Sequence, residues 1–125
     1  MNKEKFKIIQ YIRELIVYID KSMDNFPKKD IELKNRIRSN SYDLLEMAYE
    51  ANALEEVKYK KALLIKCIAK IKIIDFLLNL SFDKQIINEK KYLKFAAKLD
   101  DIAKFTNGWL KTMSSKDANS TSSNK

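Results

Sequence analysis

The stretch VKYKKALLIKCIAKIKIIDFLLNLSF, Val57–Phe82, decides the fold. It is too long for a strand and contains neither Gly nor Pro, so the spacing predicts one uninterrupted helix. At the helical angle of about 100° per residue, one apolar stripe collects Val57, Leu63, Leu64, Cys67, Ile68, Ile71, Ile74 and Leu78. A second collects Ala62, Ile65, Ala69, Ile73, Phe76 and Leu80 on nearly the opposite side, flanked by Lys58, Lys61, Lys66, Lys70 and Lys72. A surface helix needs only one apolar face to hold its place. A helix with two must pack twice. The first stripe is expected to face the chain's own core, and Ile65, Ala69, Ile73, Phe76 and Leu80 to face another subunit.

Working outward, the N-terminal segment predicts a helix over about Lys3 to Met23. Ile8, Ile9, Ile12, Leu15, Ile16, Ile19 and Met23 share one face, and Tyr11 and Tyr18 stand at its edge, where they border the core or reach a neighbour. Asp24-Asn25-Phe26-Pro27 ends it, because the residue before proline is pushed out of the α region. A second helix restarts near Lys28 to Asp30 and runs to about Ala53, with Leu33, Ile37, Ser41, Leu44, Leu45, Ala48 and Ala51 inward. Ile31, Tyr42 and Tyr49 line its flank beside Arg38, as a shoulder of the core or as part of an interface.

After the turn Ser81–Gln85, a fourth helix is expected from an Asn88 N-cap to about Asn107. Tyr92, Ala96, Leu99, Ile102, Ala103 and Thr106 read as its inner face, and Lys90, Lys94, Lys98 and Lys104 as an outer basic stripe. Gly108, the only glycine, is expected to end or reshape that helix before Trp109 and Leu110 pack on the bundle. Residues 1–113 thus read as an all-α, up-down-up-down four-helix bundle. Residues 114–125, SSKDANSTSSNK, read as a disordered polar tail.

Charge is placed unevenly. Residues 1–54 carry ten basic and nine acidic groups, whereas residues 55–113 carry thirteen against seven, most of the net +8. Either this is a lysine-rich background that confers solubility, or the second half builds a surface for a polyanion. Candidate phosphate contacts are Lys58, Lys61, Lys66, Lys70, Lys72, Lys90, Lys94 and Lys98, with Arg36 and Arg38 beside them. Only Arg13, Arg36 and Arg38 are arginines. Bidentate readout of bases is therefore limited, and contact with the backbone of RNA or DNA is expected to be largely indifferent to sequence.

The chain has no His and one Cys, so it lacks the ligands of a dedicated zinc site and cannot form an internal disulfide. Cys67, in the middle of the core stripe, reads as a small buried hydrophobe. Asp75 stands beside that stripe and needs a basic or hydroxyl partner across a helix contact. No phosphate-cradling glycine loop, nucleophile elbow or paired-carboxylate site occurs, so neither catalytic residues nor a cofactor is expected. Lysines break every apolar run before it reaches membrane-spanning length. The first residues, MNKEKFKIIQYI, lack the apolar h-region of a signal peptide, and the protein is expected in the cytoplasm.

Several stretches, taken in order, resemble the accessory variability determinant proteins of diversity-generating retroelements. They are Phe26-Pro27-Lys28, Leu33-x-x-Arg36-Ile37, Leu44-Leu45-Glu46 and Glu50-Ala51-Asn52, then Ile74-x-x-Leu77-Leu78-x-Leu80 and Lys91-Tyr92. Leu99-x-x-Ile102 and the closing Gly108-Trp109-Leu110-Lys111 complete the pattern. The resemblance implies a bundle that assembles into a ring-like homopentamer and binds nucleic acid. It also implies association with the retroelement's reverse transcriptase in support of mutagenic cDNA synthesis. The alternative is a structural bundle for protein interaction, without nucleic-acid binding.

Overall fold

The computed structural model describes the backbone of residues 3–123 and the side chains of residues 7–113. Helix α1 spans Lys3–Ser22, a single 3-10 turn Lys28–Asp30 leads into α2 (Ile31–Ala53), and α3 (Val57–Asp83) and α4 (Glu89–Ser123) follow. No strand occurs among the described residues. Each helix packs on its neighbours in sequence and α1 closes on α4, so α1 and α3, like α2 and α4, occupy opposite corners. Short connections make every neighbouring pair antiparallel. The expected bundle is the observed one.

The helix boundaries follow from local chemistry. Pro27, with φ −61° and ψ 149°, precedes the 3-10 turn and cannot extend α1. At the start of α4, Asn88 Oδ1 accepts the Lys91 backbone N–H at 2.8 Å, the expected N-cap. At the end of α3 the chain reverses through Gln85, which takes φ 64°. Ile86 N–H donates to Ser81 O and Gln85 N–H to Phe82 O, each at 2.9 Å. That pair of bonds is the Schellman closure, built here around a glutamine where glycine is the usual residue.

Four stripes meet in one core: Ile8, Ile12, Leu15 and Ile19 from α1, Ile37, Leu44 and Ala48 from α2, Leu64, Cys67, Ile71, Ile74 and Leu78 from α3, and a fourth from α4. Each large aliphatic there contributes about 1.5–3 kcal/mol by leaving water. Three buried hydroxyls bond to carbonyls of their own helices. Ser41 donates to Arg38 O at 2.7 Å, Ser81 to Leu77 O at 2.9 Å and Thr106 to Ile102 O at 2.7 Å. Tyr92 supplies the partner Asp75 needs: its Oη donates to Asp75 Oδ1 at 3.4 Å and accepts from Asn79 Nδ2 at 3.1 Å.

Two expectations for α4 are corrected. Its buried face is Phe95, Leu99, Ile102, Thr106, Trp109 and Met113, whereas Tyr92, Ala96 and Ala103 are only half-buried. The stripe therefore lies rotated toward α1, because Phe95 has a tyrosine there to pack on: Tyr18, 4.7 Å away between ring centres. Nor does Gly108 end the helix, and it has no positive φ. Trp109 and Met113 continue the same buried stripe, so core packing carries the helix through the glycine. The α4 backbone runs on to Ser123, through most of the segment expected as a tail; side chains after Met113 lie outside the described residues.

Candidate nucleic-acid interface

Closure of α1 on α4 builds a basic seam floored with aromatic rings. Lys94 Nζ lies 4.8 Å and Lys98 Nζ 5.3 Å from the Tyr18 ring centre. Lys7 and Lys104 flank the Phe105 ring at 5.1 and 5.8 Å. Phe105 in turn packs on Tyr11, centre to centre 5.4 Å. Lys90, exposed one turn before Lys94, extends the row. Between the helices runs an open groove of about 360 Å³ lined by Arg13, Glu14, Val17, Tyr18, Lys21 and Lys98. An ammonium over an exposed ring gains only about 0.5–1 kcal/mol. These lysines are therefore held in one direction yet released cheaply to a phosphate.

The ten sequence-derived cations do not form one surface. Lys90, Lys94 and Lys98 stand together on the seam. Lys58, Lys66 and Lys72 are exposed on α3, the helix diagonal to α1, and Lys61 is half-buried there. Lys70 is turned against α2, donating to Asn40 Oδ1 at 3.0 Å with Asp43 Oδ2 at 3.6 Å. Arg36 stands 3.7 Å from Glu32, both largely exposed. Arg38 donates to Asp20 Oδ1 at 3.1 Å across the α1/α2 contact. Its side-chain hydrogen bond with Tyr42, and then the Asp20 and Asp24 carboxylates, hold its pKa above the ordinary arginine value.

Sequence reasoning missed Lys7, Arg13 and Lys21. Read on α1 alone they look like an ordinary solvated face beside Glu14 and Asp20. The signal available was Tyr11 and Tyr18, seven residues apart, interleaved with these cations at the edge of the apolar stripe.

The apolar outer face of α3 is where the spacing put it. Ile65, Ile73 and Phe76 are 56%, 47% and 63% exposed, and Ala69, also exposed, stands among them. Leu80 is half-buried and lines an open groove of about 420 Å³ between α2 and α3 with Ile73, Leu77, Leu33 and Arg36. Ile65, Ala69, Ile73 and Phe76 thus leave an apolar stripe open on the outer side of α3. Cys67, fully buried on the inner face, has its thiol pushed up to about 11 by burial, so it stays protonated and unreactive near neutral pH. Among the described residues no cluster of Cys, Asp and Glu could hold a metal ion. No helix among them is long and apolar enough to cross a membrane.

The fold and these two faces define a four-helix bundle with a basic seam and a separate apolar outer face. The sequence model described as bAvd-like matches residues 6–113, so the chain belongs to the bAvd-like family, that of the accessory variability determinants of diversity-generating retroelements. Neither a curated protein nor a solved structure matches the chain.

Proposed function

We propose that the chain is a non-enzymatic, nucleic-acid-binding accessory subunit that partners the reverse transcriptase of a diversity-generating retroelement and supports mutagenic cDNA synthesis in the cytoplasm. The observation that carries this is the α1/α4 seam, where Lys94 and Lys98 stand over Tyr18 beside Arg13 and Lys21. Lysine ammonium groups neutralise phosphates without reading bases, and binding of this kind falls steeply with salt as counterions are released. RNA or DNA is thus bound with little sequence preference. Lys58, Lys66 and Lys72 contribute wherever they stay exposed after assembly.

The α3 outer face makes the protein a homo-oligomer, a pentamer on the family resemblance. A closed assembly repeats the seam once per subunit, and linked weak contacts gain from high local concentration. The test is cDNA synthesis by the cognate reverse transcriptase on its template RNA, with and without the protein. Yield that ignores the protein, together with no nucleic-acid binding at low salt, leaves the second reading: a bundle for protein interaction, which the exposed apolar face of α3 favours on its own.

A further inference from the structure

A surface that holds single-stranded nucleic acid carries open rings as well as cations, because unpaired bases stack on aromatic faces. The α1/α4 seam has cations but no open ring. Tyr18 is half-buried, packed on Phe95 with ring centres 4.7 Å apart, and Lys94 and Lys98 cover it at 4.8 and 5.3 Å. Phe105 is half-buried between Tyr11 and the ammonium groups of Lys7 and Lys104. Among the described residues the exposed rings, Tyr42, Tyr49, Tyr59 and Phe76, all stand on α2 or α3. A base laid on the seam would have to lift two lysines off a ring, and those lysines are the groups that would hold its phosphate.

What the seam offers is two rows of cations with a groove between them. Lys90, Lys94 and Lys98 follow one another at intervals of four residues on α4, a rise of about 6 Å each. Arg13 and Lys21, both exposed, stand across the groove on α1. Packed helices lie about 8–10 Å apart, and the strands of a double helix face each other across grooves about 6–12 Å wide. The space between the rows is lined by Glu14 and Val17, and exposed Asp101 separates Lys98 from Lys104. A single strand laid along this space meets a carboxylate and an apolar side chain. Two strands that straddle it put their phosphates on the rows.

We propose that the seam binds nucleic acid as a double helix, with phosphates of one strand on the α4 row and phosphates of the other on the α1 row. The proposal rests on the seam being a nucleic-acid surface, the reading given under the proposed function, and adds the form of nucleic acid it takes. The bases stay paired and stacked on one another, so no open ring is needed. A single strand has one line of phosphates and engages one row at a time. A duplex engages both rows and releases more counterions.

The test is fluorescence anisotropy with the full chain and two labelled DNA probes: a mixed-sequence duplex, and oligo(dT) of the same strand length, which does not pair with itself. The duplex is expected to bind about tenfold more tightly at equal salt and to lose affinity more steeply as salt rises, since each further phosphate contact adds to the slope. A duplex also carries the denser charge, which any polycation favours, so the deciding variant is Arg13→Gln with Lys21→Gln. Both positions are exposed, and circular dichroism is expected to give wild-type helix content. Loss of the α1 row is expected to erase most of the duplex advantage. If the double variant keeps that advantage whole, the two-row proposal falls. It falls as well if oligo(dT) binds the wild-type chain as tightly as the duplex does, a result that needs no variant. In both cases the nucleic-acid reading of the seam survives. If neither probe binds at low salt, that reading falls too.

Discussion

Lys94 Nζ sits 4.8 Å from the centre of the Tyr18 ring, a cation of α4 resting on an aromatic of α1 across the seam. The arrangement aims the lysine without consuming its charge, since a ring quadrupole neutralises nothing. Charge reversal at Lys90, Lys94 and Lys98 together is expected to weaken RNA and DNA binding at low salt. It should also flatten the slope of log affinity against log salt by about 0.9 for each duplex phosphate no longer neutralised. The oligomer, built on other helices, keeps its mass. Titrations by fluorescence anisotropy at several salt concentrations measure both quantities.

Asp30 and Lys84 stand 2.9 Å apart, with the aspartate side chain only 9% exposed. The pair ties the entrance of α2 to the exit of α3. Lys84→Met removes the cation and leaves the carboxylate in its pocket, at a cost of about 1–3 kcal/mol. Asp30→Asn, which removes the buried charge instead, is expected to cost less. Urea denaturation of the two variants shows the ordering.

Burial of Cys67 makes stability depend on alkaline pH. Below pH 9 the thiol is protonated in folded and unfolded chains alike, and its contribution is whole. The unfolded thiol ionises near 9.0 and the folded one near 11, so the contribution is lost as pH rises through that window. The loss amounts to up to about 3 kcal/mol. Cys67→Ala is less stable at neutral pH, yet its stability should fall less between pH 9 and 11. Native Cys67 should also resist alkylation at about pH 8 and react once the chain is unfolded.

Gln85 makes the α3/α4 reversal with a left-handed backbone. Gln85→Gly keeps the two closing bonds and removes the clash of Cβ, and is expected to stabilise the bundle by about 1 kcal/mol. Thermal unfolding followed by far-ultraviolet circular dichroism reads this as a melting point higher by a few degrees.

Core truncations grade the helical stripes. Ile71→Ala and Leu78→Ala are each expected to cost about 2–5 kcal/mol, and Phe95→Ala about 3–5 kcal/mol. Chemical denaturation gives the values. A Phe95 cost below that of Ala96→Gly would contradict its place at the centre of the α1/α4 packing.

Most of the fold was legible because the chain keeps to one period. The two-stripe pattern of Val57–Phe82 gave both the buried and the open faces of α3, and Pro27 and Asn88 marked helix starts with local chemistry that tertiary packing does not override. The α4 stripe was misread because Phe95 and Tyr92 both fit a helical repeat. Only the presence of Tyr18 on the opposing helix decides which of them turns in. Gly108 misled for a related reason: glycine permits a helix end without demanding one, and Trp109 and Met113 outweigh it. The seam was half legible. Lys90, Lys94 and Lys98 show as a stripe on one helix, but Lys7, Arg13 and Lys21 join them only through packing between segments roughly eighty positions apart in the chain.

That separation has a consequence for the newly made protein. Tyr18 leaves the ribosome long before Phe95 and Lys94, so a chain still in synthesis has α1 but no second bank of cations. Chain closure over so many residues also carries an entropic cost, which only the finished core offsets. The seam that carries the proposed function is therefore complete only when α4 docks. A nascent or truncated chain offers only the α1 cations Lys7, Arg13 and Lys21 along this edge.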